Sequence, residues 1–369
     1  MWFPAISRWL NGSSRNAGRV VSPRLRRSFV PCLEELEDRL VPSSFTVSNF
    51  KDSGAGTLRA AIVAANANPG ADVINFAKSN GTITLTSGQL SITDSLTING
   101  PGANKLTVSG NNASRVFSVA AGATVSLSGL TVANGAQVTA GAGILNSGTL
   151  TLQACTVTGN QNIFDAQGGG GISSSGVLQI LDSTISNNGS GNAYGGGIRN
   201  TGTATIRNST IAGNGATIGG GIANFGTMTI QSSTVSGNSA NQGAGIYNNI
   251  SVDLWGVGNL AMQNTILAGN TVRGTSTFSD LDGSLASSGY NLIGSTSGGS
   301  GFAATDLLNV DPRLGPLRNN GGPTQTMALL SGSPAINAGD PATTGDYDQR
   351  GPGYARVKGG RIDIGAFEA

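Results

Sequence analysis

GGGIRNTGTATIRNSTIAGN (195–214) and GGGIANFGTMTIQSSTVSGN (219–238) are one sentence written twice, and the chain writes it three more times. GAGILNSGTLTLQACTVTGN (141–160) and GGGISSSGVLQILDSTISNN (169–188) come before, and a looser GAGIYNN…LAMQNTILAGN (243–270) comes after. The isoleucines behind the glycines, Ile144, Ile172, Ile198, Ile222 and Ile246, are 28, 26, 24 and 24 residues apart. A period of this size belongs to solenoids, propellers and related arrays. Within a unit the apolar positions alternate (Leu150 and Leu152, Leu178 and Ile180, Met228 and Ile230), which predicts about three short strands between glycine-rich turns. Helical repeats are excluded, because no unit runs ten residues without a glycine or a turn cluster. A propeller blade needs roughly 40 residues. The reading is therefore an all-β solenoid, a parallel β-helix of roughly eight coils between 72 and 300.

Stacked coils lie about 4.8 Å apart, so equivalent residues form rows. The alignment predicts an internal aliphatic row of Val157, Ile185, Ile211, Val235 and Ile266. It predicts an amide row of Asn160, Asn188, Asn214, Asn238 and Asn270, extended backward to Asn134. A second amide row, Asn146, Asn200, Asn224 and Asn248, is interrupted by Ser174. Stacked amides bond to one another and to turn backbone, which satisfies polar groups that a narrow solenoid buries. These asparagines are read as structural.

The composition fits that architecture. Glycine is 58 of 369 residues and aromatics are 5%, as tight coils require. Between 141 and 270 only Asp165, Asp182, Arg199, Arg207 and Asp253 carry charge. The net charge of +2 divides unevenly: residues 1–40 hold seven Arg against four acids, +3, leaving −1 for the rest. No basic face for nucleic acid follows. Two cysteines, Cys32 and Cys155, form no disulfide framework, and Cys155 stands where other units have Ser183, Ser209 and Ser233.

Three domains are expected. Residues 1–44 are an Arg-rich and then acidic leader without the apolar run of a secretory signal. Residues 45–300 are the solenoid, opened by a cap in which GTLRAAIVAANANPG gives the one convincing helix. Its Leu58, Ala61, Ile62 and Ala65 share a face, Thr57 is the N-cap and Asn68-Pro69-Gly70 the stop. Residues 301–369, with seven acids and six bases, are a β-rich C-terminal cap held by ion pairs of Asp348 or Asp363 with Arg350, Arg356 or Arg361. Calcium at Asp340, Asp346 and Asp348 is not expected, because Arg350 sits where a further oxygen ligand belongs. No stretch is long and apolar enough to span a bilayer.

Several motifs carry a resemblance. LEELEDRLVPS (33–43) resembles the leader of many large planctomycete proteins thought to be exported or surface-associated. KDSGAGTLRAAIVAANANPGADVINF and LTINGPGANKLTVSGNNASRVFSV resemble the opening of bacterial right-handed parallel β-helix surface proteins. The GGGI and TVSGN pairing is similar to the repeats of chlamydial polymorphic outer-membrane proteins. DPRLGPLRNNGGPTQTMALLSGSPAINAGD, DQRG and RIDIGAFE together resemble a choice-of-anchor Q domain. The resemblance implies a right-handed coil and an extracellular or cell-surface setting, usually without an assigned reaction.

Three functions compete. Many right-handed β-helices are polysaccharide lyases or hydrolases, and a hydrolase needs two carboxylates flanking the bond. The repeats offer only Asp165, Asp182 and Asp253, no lysine and no glutamate, and the whole chain lacks histidine. Asp182 reads as a surface ion pair with Arg207 instead. An ice-binding face would use the pairs Thr149/Thr151, Thr203/Thr205 and Thr227/Thr229, but Val177 and Gln179 break the array. The favoured reading is non-enzymatic: a rigid adhesive or structural component of an envelope or matrix, without cofactor or metal, whose partners are polysaccharide or envelope proteins. Binding would sit on the longer insertions Gln161–Gln167, Gly189–Tyr194 and Val252–Gly258, with Phe164, Tyr194, Tyr247 and Trp255 as the aromatic contacts.

Overall fold

The computed structural model describes residues 42–137, 139–162, 168–249, 256–277 and 279–369. The leader expectation and the candidates Phe164, Asp165, Asp253 and Trp255 lie outside these residues.

Each coil passes through three walls. The strand behind the glycines (Ile144–Asn146 and its equivalents) builds a nine-stranded first wall. Thr149–Gln153 and its equivalents build a ten-stranded second wall, and Thr156–Thr158 and its equivalents a ten-stranded third. Every neighbouring pair illustrated by these units is parallel and in register, for example Leu150↔Leu178↔Ala204↔Met228↔Leu260. The chain is thus an all-β parallel solenoid of about nine coils with one short helix. Parallel pairing continues past 300, since Leu307–Leu308 still joins Leu292–Ile293.

A fourth, six-stranded ribbon was not legible in the repeat. It runs from Ala136–Gln137 through Gln161–Asn162, Gly189–Tyr194, Gly215–Ile218 and Ser239–Ala240 to Thr271–Val272. Gly189–Tyr194 is consequently a strand of this ribbon and not a free insertion. Such segments pair through their backbones and carry no alternating side-chain pattern.

The interior is filled as period-two alternation dictates, with Ile144, Leu150, Leu152 and Val157 of one coil fully buried. One row needs correction. Val235 pairs with Leu267, so Leu267 completes the aliphatic row, while Ile266 pairs with Thr234 on the outer side of the third wall. The amide row also slips at its start. Ala136 pairs with Gln161, which sets Gly135 and not Asn134 opposite Asn160. Asn134 is exposed with φ of 51°, in the left-handed corner where later coils have Gly159, Asn187, Gly213 and Gly237.

From Asn160 onward the amides hand hydrogens forward. Nδ2 of Asn160, Asn188, Asn214 and Asn238 donates to Oδ1 of the next asparagine at 2.8–3.0 Å, and Asn270 donates to Asp280 Oδ1. Each Oδ1 also accepts the backbone N–H of the preceding member. In the second row Asn146 donates to Ser174, Asn200 to Asn224, and Asn224 to Asn248. A third, hydroxyl ladder was missed as a ladder. The backbone N–H groups of Cys155, Ser183, Ser209 and Ser233 donate to the hydroxyls of Ser183, Ser209, Ser233 and Thr265. It continues through Asn291 and also ends on a carboxylate, Asp306.

The N-terminal end is closed by α1 (Leu58–Ala67), whose cap Thr57 accepts from the Ala60 N–H. Its buried Leu58, Ala61, Ile62 and Ala65 join the solenoid core. At the other end Phe302 packs against the core. The remaining C-terminal segment is not a terminal cap. Residues 310–369 turn back and lie along the third wall as a strap, with one antiparallel pair, Leu314–Arg318 with Thr326–Leu329.

Candidate functional site

The seam between strap and solenoid concentrates the polar chemistry of the molecule. The third wall presents Thr184, Thr210, Thr234 and Ile266 outward on successive coils, and all four are buried beneath the strap. Gln349, from the DQRG motif, is inserted there with no exposed surface. Thr210 Oγ1 donates to its Oε1 at 2.6 Å, and its Nε2 donates to Thr184 Oγ1 and Thr324 Oγ1, both at 3.0 Å. Farther along, the Ala366 N–H donates to Thr234 Oγ1 and the Gly365 N–H to the Asn264 carbonyl. A Cβ at Gly365 would lie 2.8 Å from Ile266 Cδ1, and its φ is 108°, so only glycine fits this approach. Ile266 replaces the usual threonine here to pack against Leu292, Ala335 and Ile364.

The charged motifs lock the strap to itself. Arg350 forms a buried bidentate pair with Asp348, and its guanidinium lies 4.1 Å from the Tyr354 ring centroid and 3.7 Å from that of Phe367. Asp363 forms no salt bridge with an arginine among the described residues: its oxygens accept the backbone N–H groups of Asn337 and Ala369. Glu368 accepts from the N–H groups of Lys358 and Asp363. Burial, reinforced by nearby Asp363, pushes the Glu368 carboxyl up to about 7. Arg361 serves backbone carbonyls of Ala338 and Gly339 and stacks over Tyr290. Of the expected ion pairs, Asp348 with Arg350 is therefore formed.

At the corner between the second and third walls the seam opens into a cleft of about 140 Å³. The solenoid lines it with Arg207, Gln231 and Gln263, one above another, and with the corner residues Asn208, Ser232 and Asn264. The strap contributes Thr343, Thr344, Gly345, Tyr347 and Arg356. Arg356 is 2% exposed; its Nη2 donates to the carbonyls of Asp363 and Gly365, while Nη1 has no hydrogen-bond partner. Burial lowers its pKa.

The acids of the solenoid act as acceptors. Asp182 does not form the expected salt bridge with Arg207; it accepts from Gln153 Nε2, and it occupies a left-handed corner at φ 49°. Burial raises its pKa. Burial likewise raises Asp280 to about 6, at the end of the amide ladder. Among the described residues no group of three or more His, Cys, Asp or Glu side chains is placed to hold a metal ion.

Tyr194 and Tyr247 are half-buried, unlike freely presented contacts. The two rings are 6.5 Å apart and close a triangle with Phe225, 5.1 Å from Tyr194 in edge-on geometry and 6.0 Å from Tyr247. The sequence reading missed the Arg207–Arg356 cleft, because its two sides are about 150 residues apart in the chain.

Fold and seam together define a parallel β-solenoid carrying a C-terminal side strap. No family model and no curated protein sequence matches the chain. Among solved structures the chain is similar to the crystal structure of pectate lyase Pel9A, at 17% identity and a TM-score of 0.46, over 88% of this chain and 96% of that one. The likeness is one of fold.

Proposed function

We propose that this chain is a non-enzymatic, extracellular or cell-surface protein whose solenoid serves as a rigid adhesive or structural element for glycans or envelope proteins. The observation that carries the reading is the outer face of the second wall. From Ser44 to Ala286 its outward positions are Ser, Thr, Asn, Gln and a few apolar residues, such as Thr149, Thr151, Gln179, Thr205, Thr229 and Asn259. Arg207 is the one charge on that face among the described residues. Strands at about 4.8 Å spacing turn these side chains into a flat, regular and neutral surface. It suits hydroxyl-rich, extended partners and offers no pair of carboxylates for general acid and base work. The resemblance of the closing motifs to a choice-of-anchor Q domain supports a surface setting. No helix among the described residues is long and apolar enough to cross a membrane.

The test is incubation of the chain with a panel of acidic and neutral polysaccharides, with and without calcium. Retention in pull-down without release of ultraviolet-absorbing products or reducing ends is the expected result. Release that disappears on Asp182→Ala or Asp165→Ala would overturn the non-enzymatic reading.

A further inference from the structure

At the cleft in the seam the wall's Arg207 meets a second cation, Arg356; both ionised side chains lining the cleft are cations, and Asp340, behind the lining, is bonded by Gln263 Nε2. We propose that this cleft binds a hexuronate residue of an extended glycan, its carboxylate between Arg207 and Arg356 and its hydroxyls on Gln231, Ser232 and Thr343. The proposal rests on the glycan-binding reading above and deepens it, naming an acidic sugar and its place.

Three observations carry it. First, Arg356 is buried, and among the described residues it has no carboxylate partner and its Nη1 no hydrogen-bond acceptor. The acids nearest in its field, Glu368, Asp348 and Asp363, are held by other donors, and none of them lines the cleft. With Nη2 of Arg356 spent on the Asp363 and Gly365 carbonyls, Arg356 offers its charge and Nη1, and the exposed Arg207 offers the planar fork that matches a carboxylate. Second, the rest of the lining is amide and hydroxyl, able both to donate to and accept from sugar hydroxyls. Tyr347, 44% exposed, adds an aromatic surface. Third, the cleft is well below the roughly 300 Å³ of an ordinary small-molecule pocket, so it admits a single ring. It opens beside Arg207, Gln231 and Gln263, the edge of the flat wall, along which a chain of neutral sugars would continue.

The experiment is titration calorimetry on the full chain at low salt, using a hexuronate trisaccharide, its neutral counterpart and inorganic phosphate. The expected result is saturable hexuronate binding, with the neutral sugar at least about tenfold weaker. Arg207→Ala, at an exposed position that leaves the fold intact, should weaken hexuronate binding by at least about tenfold, and Arg207→Lys by less. Lys78→Ala, an exposed cation in a turn off the wall and outside the cleft, should leave it unchanged. Equal binding of acidic and neutral sugars, tighter binding of phosphate, or unchanged binding in Arg207→Ala would each overturn the proposal. Retention of the Arg207→Ala chain on an insoluble neutral glycan separates the two readings. If it persists while the titration fails, the wall stands and the cleft does not; if it is absent while the titration succeeds, the reverse holds.

Discussion

Replacing Asn214 by leucine removes the middle of the forward-handing amide row while keeping a side chain of similar size. The wild-type side chain accepts the Asn188 N–H and one Asn188 amide hydrogen, and donates to Asn238 Oδ1 and the Ile185 carbonyl. In Asn214→Leu, Asn238 Oδ1 keeps the backbone N–H of residue 214, and the other Asn188 amide hydrogen keeps Val157 O. Two buried donors on Asn188 and one bond to Ile185 are lost. Each buried group left unpaired costs about 1–3 kcal/mol, and burying the leucine returns about 1.5–3 kcal/mol. A Cβ added at Gly197 would lie 3.1 Å from Asn214 Cγ, so the glycine leaves the room that the residue-214 side chain fills. The expected net destabilisation is about 3 kcal/mol. Urea unfolding would show it as a lowered midpoint, and hydrogen exchange as lost protection at the Asn188 amide. Asn134→Gly is the control, because Asn134 stands outside the row in a left-handed corner that glycine occupies freely. An unchanged midpoint together with full protection at Asn188 would refute the reasoning.

Gln349→Ala severs the strap's central bonds to Thr184, Thr210 and Thr324, and should cost about 2–4 kcal/mol and make 310–369 the first segment cut in limited proteolysis. Glu368 has its folded pKa raised to about 7 from an ordinary 4.5, so its contribution is fully present below pH 4.5 and is lost as pH rises through 7. Thermal unfolding across that window should therefore show stability declining with pH, and Glu368→Gln should flatten the decline. Burial pushes the Cys155 thiol up to about 11, so in a chain with Cys32 replaced by serine, a thiol reagent should react only on unfolding. Cys155→Ser should stay within about 1 kcal/mol of the parent in urea, since serine is what the other coils place there.

The coil was legible because every unit repeats its apolar alternation and its corner glycines. The two slips show what alternation leaves open. Ile266 and Leu267 are adjacent and both apolar, so pattern alone does not say which faces inward; the strap supplies a second apolar environment that takes Ile266. Asn134 and Gly135 are adjacent too, and asparagine suits both a ladder and a left-handed corner. The strap itself was out of reach. Thr184, Thr210 and Thr234 look like solvent-facing strand threonines, and nothing local distinguishes them from Thr151 or Thr229 on the open wall. What buries them is Gln349 and its neighbours, with contacts across more than a hundred residues of chain. The Arg207–Arg356 cleft depends on that fold-back and was hidden with it.

Two of the three side-chain ladders finish on a carboxylate, Asp280 for the longer amide row and Asp306 for the hydroxyls, while the second amide row ends with Asn248 donating to the Gly258 and Ser284 carbonyls. An asparagine in transit must both take and give, whereas an ionised aspartate only takes, so it is a full stop that leaves no hydrogen stranded. The rod therefore has grammar at its end and free composition in its middle. A duplicated unit slipped into either of these ladders would find a giver behind it and a taker ahead of it, yet between Thr184 and Asn264 it would also part the coils that Gln349, Gly365 and Ala366 bridge, so the strap, and not the ladders, sets how many coils this stretch can hold.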